Sequence, residues 1–426
     1  MSNLLLRGGR LVDPANGVDT VGDVLVVDGA IEQAGSRIDA GDAETIECDG
    51  MIVAPGFVDM HVHLREPGFE YKETIATGTM AAAAGGFTAV ACMPNTKPVN
   101  DHRSVTEFII ERARFEGHVR VCPIGAVSIE QAGEALTEIG ELVDAGCVAI
   151  SDDGYPVATA QLMRKALEYT RMFDIPVIEH CEELSMTVGS VVHEGAVATA
   201  LGMRGWPAAA EEIIVARDLL LAEATGGRLH LAHLSTAGSM RLVRDAKERG
   251  VDVTCEVMTH HFSLTDDAVR GFDTNTKMNP PLRAESDRQA LIEAIGDGTV
   301  DVIATDHAPH HRDEKLLEYD HAPFGIVGLE TAVPLTCTHL LRTDVIDAPR
   351  LVELMSVNPS RILGLEGGAL TAGTPAHLTV IDPEHRATVD ASAFHSKSQN
   401  TPFDGETLYG WPTLTVVNGT IAWQKT

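Results

Sequence analysis

In the stretch FVDMHVHLREPG, residues 57–68, His61 and His63 stand two positions apart, and Arg65 follows at the same spacing. An extended chain sends alternate side chains to opposite faces, so a strand here would project both imidazoles and the guanidinium from one side. Neighbouring neutral imidazoles are donors that a metal accepts, and a fixed cation beside them suits an anionic ligand. Residues of the same chemistry recur at the ends of later apolar runs: Asp152 and Asp153 in SDDG, His180 in VIEHCEE, His233 in LAHLS, and His260 and His261 in VMTHH. Asp306, His307 and His310 end another, in ATDHAPHH. Each has an ordinary explanation on its own: SDDG is a frequent turn, and a lone histidine is most often a satisfied surface group. Their recurrence at successive run ends points to one shared metal centre.

Those run ends belong to eight apolar, β-branched segments at 56–64, 87–93, 119–127, 146–152, 175–181, 228–235, 251–260 and 300–308. Between them lie stretches with helical spacing of apolar residues, such as 73–85, 159–173 and 237–250. Alternation on this scale predicts parallel βα units, and eight of them predict an α/β fold, a closed (β/α)8 TIM barrel. The C-terminal strand ends of such a barrel carry the active site, and the polar residues stand there. Residues 3–52 and those from about 368 onward differ in texture, with short strands and hairpin signals at 27–29 (Val-Asp-Gly) and 417–419 (Val-Asn-Gly). The expected organisation is a barrel over 56–365 and a small β-sandwich-like domain built from 1–55 plus 366–426.

Composition narrows the class further. With 44% hydrophobic and 22% charged residues, the chain reads as globular. No run approaches the roughly 18–20 apolar residues of a membrane span, and the opening MSNLLLRGGRLVD is too short for a secretory core. A cytoplasmic protein is expected. The seven cysteines form no CxxC pair, and Cys92, Cys122, Cys147, Cys181 and Cys255 fall in apolar runs, as free thiols of a reduced core do. Against 62 acidic residues stand 32 basic ones, a net charge of -30 that argues against nucleic acid or an anionic membrane as partner. Only 8 of the basic residues are lysine. A heavy acid load with few lysines fits a halophilic habitat, where concentrated salt screens the self-repulsion.

Zinc accepts imidazole and carboxylate, and in catalytic sites it keeps a position open for water. His61, His63 and Asp306 are the expected ligands of one metal, His180 and His233 of a second, and Asp153 the bridging anion. One or two zinc ions are expected, two favoured. Asp152 is the alternative to Asp153. Arg65 is expected to grip a substrate carboxylate through its two-pronged fork.

This constellation resembles the amidohydrolase superfamily: HxH on the first barrel strand, histidines on the fifth and sixth, aspartate on the eighth. Within it the chain is similar over essentially its whole length to the dihydroorotase family of the long bacterial and archaeal type. The pieces that carry the resemblance are DMHVHLREPG (59–68), MPNT (93–96), SDDG (151–154), EHCE (179–182), ATDHAPH (304–310) and APFGIVGLET (322–331). NPSRILGL (358–365) resembles the family's closing helix. The resemblance implies reversible hydrolysis of (S)-dihydroorotate to N-carbamoyl-L-aspartate in pyrimidine biosynthesis, with Asp306 as general base and then general acid. It also implies that Asn95 and His310 join Arg65 on the substrate carboxylate and that Asn279 contacts the ring. Phe324 and Gly325 would close over the ring through backbone groups. The implied ligand in DDG is its second aspartate, Asp153.

Many relatives in the superfamily bridge their metals with a carbamylated lysine on the fourth strand. AGCVAISDDG (145–154) has none, and the nearest is Lys165. That departure agrees with the aspartate-using dihydroorotase type and weighs against allantoinase and hydantoinase, whose substrates bring no carboxylate for Arg65. A smaller departure is His377, where relatives often carry aspartate. Asp59, His260, His261, His307, His311 and His321 are expected to be structural. The implied partner is a small anionic substrate, with room for a homo-oligomer and for assembly with aspartate transcarbamoylase. A ligand-depleted scaffold role is disfavoured, because every expected ligand is present.

Overall fold

A computed structural model describes residues 3–39 and 41–425. The eight apolar runs form eight strands: β1 (Phe57–Val62), β2 (Phe87–Cys92), β3 (Arg120–Gly125), β4 (Ala149–Ser151), β5 (Val177–Glu179), β6 (Leu229–Leu231), β7 (Val253–Met258) and β8 (Val302–Ala304). They pair in parallel and in chain order. The ring closes where Val62 bridges to His307 and the His63 N–H donates to the His307 carbonyl at 2.8 Å. β1 and β2 are buried along their whole length, as strands covered by helices outside and filled inside must be. In β1 the pairing gains one residue between Asp59 and Val62, a bulge at the position of His61.

Three of the helices between strands start on threonine side-chain caps. Thr74, Thr159 and Thr236 each accept a hydrogen bond from a backbone N–H three residues on, which satisfies a donor the first turn leaves free. The helix at Ala160–Thr170 buries Leu162, Met163, Ala166 and Leu167, each large apolar side chain contributing roughly 1.5–3 kcal/mol. The helix Asn358–Leu363 sends Ile362 and Leu363 into the apolar cluster that holds Met60, Ile124 and Ile178 of the strands. Arg228, just ahead of β6, donates to the Ile362 carbonyl at 2.8 Å, so this helix covers the strand starts, away from the site.

Both termini contribute to a second, eight-stranded sheet. Ile52–Pro55 joins its halves, pairing with Leu4–Asp13 on one side and Leu378–Thr388 on the other. Both hairpin signals are turns with left-handed backbone, at Asp28 and Gly29 (φ 49° and 88°) and at Asn418 and Gly419 (φ 49° and 71°). The Ala376 N–H donates to the Gly29 carbonyl, and the Gly419 N–H to the Ala376 carbonyl, both at 2.9 Å. These contacts curl the sheet about Leu6, Leu11, Val24, Ile31, Val53, Leu378 and Val416. All seven cysteines are free, and no helix among the described residues is long and apolar enough to cross a membrane.

Candidate metal centre and active site

The strand ends converge on a cavity of about 330 Å³ lined by His63, Arg65, Asn95, Asp153, His180, His233, Asn279, Asp306, His310, Phe324 and Gly325, together with Gly154, Ala308 and Pro323. Of the expected site residues, only His61 does not line it. His61 is fully buried behind the cavity, with Nε2 3.3 Å from Asp153 Oδ1 and 3.6 Å from Asp306 Oδ1.

Asp153 is the hub. Its Oδ1 also lies 3.6 Å from His180 Nδ1 and from His233 Nε2, while its Oδ2 lies 3.5 Å from His63 Nε2. His63 Nε2 is in turn 2.9 Å from Asp306 Oδ1. Two groups could hold a metal: His61, His63 and Asp306, the expected set, and His61, Asp153 and His233. His180 reaches the second group through His233, its Nδ1 2.8 Å from His233 Nε2. Asp152, one residue earlier, points elsewhere. Its carboxylate is held by the backbone N–H and hydroxyl of Ser128.

Partners on the far side of three rings set which nitrogen faces the centre. His61 Nδ1 meets Glu256 Oε1 at 2.6 Å, His63 Nδ1 meets Asn95 Oδ1 at 2.9 Å, and His180 Nε2 meets Glu182 Oε2 at 3.0 Å. Each is a hydrogen bond from ring N–H to oxygen, so the other nitrogen turns a lone pair inward. His61 Nε2 and Asp153 Oδ1 are both buried with no hydrogen-bond partner among the described residues. Lone pairs opposed at 3.3 Å in a buried site call for a cation between them. The donor set of imidazoles and carboxylates therefore fits a divalent metal. Burial opposes charge here, yet Asp153 and Glu256 raise His61 well above its usual range and Asp153 and Glu182 raise His180 to about 10, so the centre attracts positive charge. Burial works against the charged form of Asp153, but His61, His180 and His233 outweigh it and hold the carboxyl well below the usual range. Asp306 is lowered as well, its burial offset chiefly by His63 and His61.

The backbone is bent to make this arrangement. Arg65, His233 and Asp306 all have positive φ (60°, 35° and 47°), a region that costs a non-glycine residue of order 1–3 kcal/mol. Such strain collects where the surrounding structure needs a side chain in one place.

On the open side, Arg65 Nε donates to the Pro309 carbonyl at 3.1 Å, and its Nη2 is 3.5 Å from His310 Nε2. His310 Nε2 donates to the Phe324 carbonyl at 2.7 Å, and its Nδ1 accepts from Lys72 Nζ at 3.3 Å. Burial, with Arg65 and Lys72 nearby, keeps this ring well below its usual range and therefore neutral. Asn279 spends its Nδ2 on Glu182 at 3.2 Å and leaves a buried Oδ1 without a partner among the described residues. Phe324 stands edge-on to Trp206, ring centres 6.0 Å apart.

The remaining histidines are held by other contacts. His261 Nε2 donates to the Pro280 carbonyl at 3.0 Å, and His307 Nε2 lies 3.4 Å from Glu73. His260 is buried beside His261, ring centres 4.3 Å apart. His311 caps the short helix Arg312–Lys315, and His321 is exposed. Asp59 is buried, accepts from the His61 and Thr305 backbone N–H groups, and burial pushes it up to about 7. His377 stands just ahead of the strand Leu378–Thr388 of the terminal sheet, and its Nδ1 accepts from the Asn418 N–H at 3.3 Å.

Sequence reasoning passed over Glu256, Glu182 and Asn400. Glu256 is the one acid inside the apolar run of β7, and a buried charge there needs partners, which is the signal that could have found it. Asn400 comes from the far C-terminal segment and gave no such signal. Its side chain accepts from the His310 N–H and donates to the Ala308 and Gly325 carbonyls, each at 3.1 Å.

Comparison with known proteins agrees with this geometry. A family model described as Dihydro-orotase-like matches residues 50–239. A dihydroorotase of Geobacter metallireducens is 54% identical over 99% of this chain and 100% of its own length. One from Pelotomaculum thermopropionicum is 54% identical over 99% and 98%. Among solved structures, L-hydantoinase from Arthrobacter aurescens superposes with a TM-score of 0.89 at 26% identity, covering 100% of this chain and 97% of that one.

Proposed function

This chain belongs to the dihydroorotase family, and from that premise we propose how it carries out the reversible hydrolysis of (S)-dihydroorotate to N-carbamoyl-L-aspartate in pyrimidine biosynthesis. It is a cyclic amide hydrolase. In this reading His61, His63 and Asp306 would hold one divalent ion and His180 and His233 a second, with Asp153 as the carboxylate between the two groups. Zinc is the metal we favour, with two ions per chain. A metal held there supplies Lewis acidity and brings the pKa of water down toward neutrality.

The chain's own groups do the rest. Asp306, kept anionic beside His63, takes the proton of the attacking water as its oxygen bonds to the ring carbonyl carbon. As the C–N bond breaks, the same carboxyl returns that proton to the departing nitrogen. Asn279 Oδ1, the buried acceptor without a partner, would take a ring N–H. Asn95, fixed by His63, stands with Arg65 at the end where the substrate carboxylate would lie. Phe324 and Gly325 cover the ring.

One observation carries the choice of substrate: Arg65 opens onto the same cavity as the metal-type cluster, in a chain of net charge -30. A cation there is matched to an anionic ring, and neither allantoin nor hydantoin carries a carboxylate. The test is to give metal-loaded protein dihydroorotate, allantoin and hydantoin and to follow ring opening. Turnover of dihydroorotate alone is expected, and turnover of hydantoin alone would replace this reading with that of the L-hydantoinase neighbour. A cytoplasmic location is part of the reading, supported by seven free thiols. So are a salt-rich cell, supported by the acid load, and room for self-association or for assembly with aspartate transcarbamoylase.

A further inference from the structure

Only two lysines are buried among the described residues, Lys277 and Lys315, at 2% and 7% exposure, and both lie behind one loop. Lys277 Nζ donates to the carbonyls of Ala322 at 2.7 Å and Asp320 at 3.1 Å. Lys315 Nζ donates to the carbonyls of Pro323 at 2.9 Å and Gly325 at 3.0 Å. His310 takes the Phe324 carbonyl between them, and Asn400 adds a second bond to that of Gly325. Every carbonyl from Ala322 to Gly325 is thus claimed by a side chain.

The loop's N–H groups complete the account. Ala322 donates to Glu318 and Gly325 to Lys277, both at 2.9 Å, and Pro323 has no N–H. The one main-chain polar group of the four residues without a partner among the described residues is the Phe324 N–H, on a residue that lines the cavity. Lys277 Nζ also sits 4.6 Å from the centre of the Phe324 ring, close enough for a cation–π attraction.

Neither ammonium has a carboxylate within ion-pair distance among the described residues, so its hydrogen bonds all go to carbonyl oxygens. Burial makes that arrangement costly, pushing Lys277 down to about 8 and Lys315 to about 7. A leucine or methionine would fill such space without the cost, so the donors themselves must matter.

We propose that Lys277 and Lys315 are positioning residues for substrate binding: together they pull the carbonyls of Ala322, Pro323 and Gly325 away from the cavity and leave the Phe324 N–H and ring to meet the substrate. The proposal rests on the dihydroorotase reading of the site. Neither lysine touches the reacting atoms.

The test uses the metal-loaded full chain and the variants Lys315→Met, Lys277→Met and Lys315→Arg. KM for dihydroorotate should rise about tenfold or more in the methionine variants while kcat stays within about threefold, since the lost interaction is one of binding. Lys315→Arg, which keeps the donors, should fall between. Bound metal should match the wild type, and the amides of Ala322 and Gly325 should exchange hydrogen faster in the methionine variants. The exchange measurement reads the clamp even if the wild-type chain opens no dihydroorotate, which separates failure of this proposal from failure of the functional reading. A folded, metal-replete Lys315→Met or Lys277→Met protein with wild-type KM and unchanged exchange in this loop would overturn it.

Discussion

Glu256 Oε1 lies 2.6 Å from His61 Nδ1, and that bond turns the ring's other nitrogen toward Asp153. Glu256 Oε1 also accepts from the His233 N–H at 3.3 Å, and Oε2 lies 3.3 Å from His230 Nε2, so the carboxylate is tied to β6 as well as to His61. Removing it frees the ring to rotate or change tautomer. Glu256→Ala should weaken metal binding by roughly 10–100-fold, with Glu256→Gln less affected. Chelator competition measures this, and wild-type affinity in the alanine variant would show that the bond does not orient His61.

The adjacent aspartates should separate cleanly. Asp153→Ala should abolish ring opening and lower bound metal while the protein stays folded. Asp152→Ala should keep its metal but lose about 1–3 kcal/mol of stability, because the Ser128 N–H and hydroxyl are left unpaired in a buried place. Metal analysis beside thermal melts distinguishes them, and the reverse pattern would exchange their roles.

Arg65 should matter to the acid and not to a neutral ring. Arg65→Met is expected to lower kcat/KM for dihydroorotate by about 100-fold, or about 3 kcal/mol. Arg65→Lys should recover only part of it, since an ammonium lacks the two-pronged fork. Any slow opening of dihydrouracil, which has no carboxylate, should change little. Equal losses on both substrates would mean that Arg65 supports the fold of the site instead of reading the acid.

With a net charge of -30, stability should rise with salt. The screening length falls from about 10 Å at 0.1 M to about 3 Å at 1 M, which removes most repulsion between surface carboxylates. Melting temperature should climb steadily from dilute buffer to molar potassium chloride. A flat profile would remove the case for a salt-rich habitat.

Glu330 should give a stability slope with pH. Burial pushes its carboxyl up to about 8, outweighing the backbone N–H groups of Ser396 and His395 that it accepts. The folded chain then keeps a proton that the unfolded chain gives up above its ordinary value of 4.5. Stability from this group is whole below that value and is lost as pH rises toward 8. Glu330→Gln should therefore gain on the wild type in thermal melts run from pH 5 to 8. A difference that stays constant across that range would show that Glu330 titrates normally.

The barrel was legible because parallel strands buried on both faces must be unbroken apolar runs, and eight such runs alternate with helical stretches. The chemistry was legible for a related reason: polar side chains are sparse inside buried strands and gather where they end, so His61, His63, His180, His233 and Asp306 stood out against their neighbours. Local patterning carries that information, since it depends on residues two to four positions apart. It could not separate Asp153 from Asp152 without the family resemblance, because which of two adjacent turn residues faces the cavity depends on the backbone the whole barrel imposes. Nor could it give Glu256 its partner, 195 positions away at His61, or bring Asn400 to Gly325 across 75. Lys277 and Lys315 carry no local sign of burial, and only the fold places them behind a single loop. Spacing along the chain determined which groups could do chemistry, and only long-range packing decided which way each one points and what holds it there.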